Sequence, residues 1–93
     1  VESLPDALPS QTRVVVLVLQ NLVALDTSGL DALVHLRRNL ERQSCTLVLC
    51  QLHEQPLGLL RRSHQAEAFG ELNLQPDLAG ALRRARAILA VKP

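Results

Sequence analysis

Asp26-Thr27-Ser28-Gly29-Leu30 puts a carboxylate, two hydroxyls and a glycine in consecutive positions. The segment sits where strand character gives way to helix character. Arg13-Val14-Val15-Val16-Leu17-Val18-Leu19 precedes it, and a helical pattern runs from Leu30 to Arg42. The first turn of a helix has unpaired backbone N–H groups, and the helix dipole favours negative charge there. Such a junction can receive an anion, or carry one as a phosphorylated hydroxyl. A phosphate on Ser28 would add about two negative charges near Asp26. The dipole favours that charge and the carboxylate opposes it, so a partner docking on the loop would sense the change. The same residues also suit plain capping, in which a side-chain oxygen accepts from the free N–H groups for about 1 kcal/mol. The two roles are compatible.

Catalysis needs more than a hydroxyl. A hydrolase requires a nucleophile, a base and a group that orients the base. Ser28 is a nucleophile candidate, and His35, His53 and His64 are the histidines. His35 falls on the polar side of the helix, nearly two turns beyond Ser28. His53 follows the next strand and offers the better enzymatic case, because parallel strands end on one side of a sheet. There is no Gly-x-Ser-x-Gly elbow, no glycine-rich phosphate loop with Lys, and no telling carboxylate pair. The reading is therefore of a protein that is not an enzyme and uses no cofactor.

The composition narrows the classes further. Phe69 is the only aromatic residue, so there is no platform for stacking on bases or sugars. That argues against nucleic acid as a partner. Net charge is +1. The doublets Arg37-Arg38, Arg61-Arg62 and Arg83-Arg84, with Arg86, read as solvated helix faces, with a phosphate or lipid surface as the alternative. No run approaches the roughly 18 apolar residues of a membrane span, and no signal peptide opens the chain. The expectation is a domain soluble in isolation. Cys45 and Cys50, flanking a short strand, should point to opposite faces and stay unbridged, and their spacing is no zinc pattern.

The positioning elements follow from periodicity. Glu2 to Leu8 reads as the tail of a helix stopped by Pro9. Arg13 to Leu19 is apolar on both faces, the mark of a central strand covered by helices. Leu30, Leu33, Leu36 and Leu40, with Val34, form the apolar stripe of the next helix, opposite Asp31, His35, Arg38 and Arg42. Cys45 to Cys50 is a second strand. Pro56 suits the first position of a helix with Leu57, Leu59 and Leu60 on its apolar side, fading around Ser63-His64. Phe69-Gly70 reads as a turn and Leu72-Asn73-Leu74 as an edge strand. Asp77 is a natural N-cap for a last helix carrying Leu78, Ala81, Leu82, Ala85, Ile88 and Leu89. Alternation of this kind predicts one α/β domain over residues 1–93, with a small mixed, largely parallel sheet flanked by helices. The main strands should be adjacent and parallel.

The ordered combination resembles the STAS domain, the fold shared by sulfate transporters and bacterial anti-sigma factor antagonists. The resemblance rests on the Val-rich strand, the Asp26-Thr27-Ser28-Gly29-Leu30 loop, and the helix and strand that follow. It extends through the Pro56 turn to Leu72-Asn73-Leu74-Gln75-Pro76-Asp77 and the terminal helix. It implies regulation and docking, with Asp26, Thr27, Ser28, Gly29 and Leu30 as the phosphorylation or partner loop. The phrase Arg13 to Leu17 and the tail Leu74 to Leu82 look more like the SulP-type anion transporter branch. There the domain follows the membrane helices on the cytoplasmic side of the inner membrane. The implied partner is a regulatory protein or the transporter's own membrane domain, and the resemblance leaves room for a bound nucleotide or anion. The alternative is a free-standing antagonist switched by phosphorylation of Ser28. STAS domains begin with one or two strands before their first helix, and here those strands look absent. An uncovered sheet edge would follow, with pairing to a second copy.

Overall fold

The computed structural model describes residues 12–90. The expected helix tail at residues 2–8 and the question of earlier strands lie outside them. The elements run β1 (Val14–Val18), α1 (Thr27–Arg42), β2 (Thr46–Cys50), α2 (Glu54–Arg62), α3 (Gln65–Phe69), β3 (Leu74–Gln75) and α4 (Leu78–Ala90), with a 3₁₀ turn at Glu71–Asn73. The sheet order is β1-β2-β3 and both pairings are parallel. Val14 pairs with Thr46 and Val18 with Cys50, so the expected neighbours are adjacent and parallel.

The sheet is covered on both faces, which explains why β1 lacks a polar alternation. Leu47 and Leu49, with Val15 and Leu17, face a core built with Leu30, Leu33, Leu40, Leu60 and Phe69. Val48 and Cys50, with Val14 and Val16, face Ala81 and Ile88 of α4. Cys45 belongs to the first core and Cys50 to the second, so both thiols are free and lie on opposite faces.

Four local differences from the sequence reading have physical causes. α1 begins at Thr27, three residues before the apolar stripe, because the Asp26 side chain caps it there. Pro56 takes the third position of α2, where its missing N–H is still one of the unpaired first-turn groups. α2 ends at Arg62, where the reading has the helix fade, but His64 turns left-handed at φ 63° and starts a further helix, α3, that the reading did not place. The edge strand starts two residues later than expected, since Leu72 and Asn73 lie in the 3₁₀ turn. Arg37 also departs from the solvated role given to its doublet. Its side chain is only 12% exposed, bridges Glu41 at 2.9 Å and lies 5.4 Å over the Phe69 ring. Arg38 beside it is exposed.

Candidate functional site

β1 delivers the chain through a turn at Gln20-Asn21 to the segment that opens α1. Asp26 is the N-cap, in extended conformation, and its Oδ1 accepts from the Gly29 N–H at 2.8 Å. The Leu30 N–H bonds the Asp26 carbonyl at 2.9 Å, closing the first helical turn. Asp26, Thr27 and Ser28 are exposed, Gly29 is half-buried and Leu30 is buried. The five residues thus divide: the first three present chemistry to solvent, and Leu30 anchors the helix to the core.

Leu25 fixes the approach. It is 7% exposed, and its side chain lies where a Cβ at Gly29 would sit, 2.6 Å away. Its backbone is held from a distant element. Gln55, in the first turn of α2, accepts from the Leu25 N–H at 2.6 Å through Oε1 and donates to the Leu25 carbonyl at 3.0 Å through Nε2. Two residues before Gln55, at the N-cap of α2, His53 Nε2 meets the Gln20 carbonyl at 2.6 Å, which requires the proton on Nε2. The periodicity reading missed both contacts, because each joins residues 30 or more apart.

An apolar groove of about 490 Å³ opens beside the loop, with Val18, Leu22, Leu25, Gly29 and Ala32 among its walls. Val23, 67% exposed, stands in the same connecting segment. A hydroxyl pair at a helix start therefore neighbours an apolar recess.

The histidines go elsewhere. His53 serves Gln20, His64 lies 4.0 Å from Glu67, and His35 is exposed on α1. The cysteines offer no exposed nucleophile, since burial pushes the Cys45 thiol up, and burial and then the Asp77 carboxylate push up Cys50. Asp77 itself caps α4, accepting from the Gly80 N–H at 2.7 Å, as the sequence suggested.

With this geometry in place, the family comparison is decisive: a model of the STAS domain matches residues 2–81. The chain belongs to the STAS domain family. Among solved structures this STAS domain is similar to a sulfate transporter family protein from Wolinella succinogenes, with a TM-score of 0.79 and 24% sequence identity. The match covers 85% of this chain and 65% of that one, and at this identity it speaks for the fold. No curated protein sequence matches the chain. Among the described residues, no helix of the STAS domain is long and apolar enough to cross a membrane.

Proposed function

We propose that this STAS domain is the cytoplasmic regulatory and docking module of a SulP-type sulfate or anion transporter, without catalysis of its own. The observation that carries the docking role is the exposed Thr27-Ser28 pair at the capped start of α1, beside an apolar groove. Membership of the STAS family and the likeness to a sulfate transporter family protein support the transporter setting. In this reading Asp26 shapes the first turn, Ser28 and Thr27 receive a modification or contact, and Gly29 admits a close approach. The partner is a regulatory protein or the transporter's own membrane domain, and the helix start would suit an anionic group on either. Ser28 exposure equally favours the alternative, a free-standing anti-sigma factor antagonist phosphorylated at Ser28.

One experiment separates the two. An antibody to this domain is used on fractionated cells of the source organism. A membrane-bound product several hundred residues longer supports the transporter, and a short soluble product supports the antagonist. In the membrane-bound case, sulfate uptake is then measured with Ser28→Asp, Ser28→Ala and Thr27→Ala in the full chain. Ser28→Asp should alter uptake with the fold intact, and Thr27→Ala should do less. Uptake unmoved by any Ser28 variant would reduce the loop to a helix cap.

A further inference from the structure

We infer that Gln55 is a positioning residue that couples the Ser28 loop to the first turn of α2. Its carboxamide makes two backbone hydrogen bonds to one residue, Leu25, at 2.6 Å and 3.0 Å. Leu25 directly precedes Asp26, the N-cap of α1. The pair of bonds imitates one rung of a sheet, made by a side chain to a segment that has no strand partner of its own among the described residues.

The coupling follows from competition for one donor. Asp26 Oδ1 holds the Gly29 N–H at 2.8 Å. A phosphate or carboxylate placed at residue 28 meets the same small set of free N–H groups and repels the Asp26 carboxylate. Asp26 must then loosen its cap or shift its backbone. Leu25 cannot absorb that shift alone, because its side chain is buried against Gly29 and its N–H and carbonyl are both held by Gln55. Movement at Asp26 therefore reaches the carboxamide, and through it Glu54–Arg62. His53, holding the Gln20 carbonyl, ties the same turn of α2 to the far end of the connecting segment. The loop and the α2 start form one mechanical unit, which gives a partner two places to read the state of Ser28.

This rests on Ser28 as the input, and the test keeps the two claims apart. The chain is ¹⁵N-labelled and the Gln55 side-chain NH₂ pair, the Leu25 amide and the α2 amides are followed by NMR. Ser28→Asp should shift the Gln55 pair and the Leu25 amide, with smaller shifts along α2. In Gln55→Ala the Leu25 amide should exchange roughly tenfold faster, as for loss of one neutral hydrogen bond, and Ser28→Asp should no longer reach α2. If Gln55→Ala fails to fold, Gln55→Glu replaces it, since a carboxylate keeps the Leu25 N–H partner and loses the donor to the carbonyl. A Gln55 pair that ignores Ser28→Asp, or α2 shifts that persist without Gln55, would overturn the coupling. Sulfate uptake indifferent to Ser28 would remove the docking role while leaving the NMR coupling standing.

Discussion

Gly29 is constrained by its neighbour. A Cβ there would stand 2.6 Å from Leu25 Cδ1, so the buried Leu25 side chain, its backbone held by Gln55, must leave its place to admit it. Gly29→Ala should destabilise by about 1–3 kcal/mol, the range for overpacking, read as a lower urea midpoint with unchanged slope. Asp26→Ala should cost about 1 kcal/mol through the lost cap. The thiols give a pH prediction. Cys45 and Cys50 are 3% and 0% exposed, and their folded pKa values lie above the ordinary 9.0. Below that value both states hold their protons and the contribution is fully present. Above it the unfolded chain ionises first, so stability falls as pH rises, until the folded thiols ionise too. The chain has no tyrosine and a single lysine, Lys92, so few other groups titrate there. Urea midpoints from about pH 8 to about pH 10 should decline, and a Cys45→Ala, Cys50→Ala double variant should flatten the decline. At this scale the sequence was legible where chemistry is local. The Asp26 and Asp77 caps act three residues away. Gln55 carries no such sign, since its partner is 30 residues distant and any polar residue would satisfy the local pattern.

Elements whose burial repeats with a single period were readable, and those made by packing were not. α1 buries Leu30, Leu33, Val34 and Leu40, as its stripe suggested, and β1 with β2 forms the expected parallel pair. The stretch from Ser63 to Leu74 is different. Its residues satisfy backbone bonds through side chains and turns: Ser63 Oγ donates to the Leu59 carbonyl, and Asn73 Nδ2 donates to the Phe69 carbonyl. Gly70 takes φ 92° to reverse the chain between them. An alternating Leu72-Asn73-Leu74 looks like a strand, yet Leu72 is 65% exposed on the 3₁₀ turn and Leu74 packs on the core. Leu72 should therefore respond to truncation as a surface residue does, unlike a leucine of the core. Leu60, fully buried in α2, supplies the reference. Leu60→Ala should cost about 2–5 kcal/mol, and Leu72→Ala less than about 0.5 kcal/mol, as for a surface position. Equal losses in a urea titration would mean that Leu72 is buried in a true edge strand.

For the whole molecule, the sheet edge decides how the chain meets others. β1 lies at one end of the order β1-β2-β3, so among the described residues its outer edge carries no strand. The hydrogen bonds tell which residues present that edge. The Thr46 N–H bonds the Arg13 carbonyl and the Leu19 N–H bonds the Cys50 carbonyl. In a parallel ladder, alternate residues bond to one side. Val15 and Leu17 therefore serve β2, and Val14, Val16 and Val18 turn their N–H and carbonyl groups outward. Val18 is also 41% exposed beside the apolar groove. An apolar, charge-poor edge of this kind invites pairing with another chain. We predict that the isolated chain self-associates, with a sedimentation coefficient that rises with concentration. Val16→Pro is the specific test, because it deletes an outward N–H and leaves the bonds to β2 untouched. Pairing through β1 requires Val16→Pro to remain folded by circular dichroism and to sediment as a monomer where the parent chain associates. A parent chain that is monomeric at every concentration would refute edge pairing, and a proline variant that still associates would move the contact to the groove.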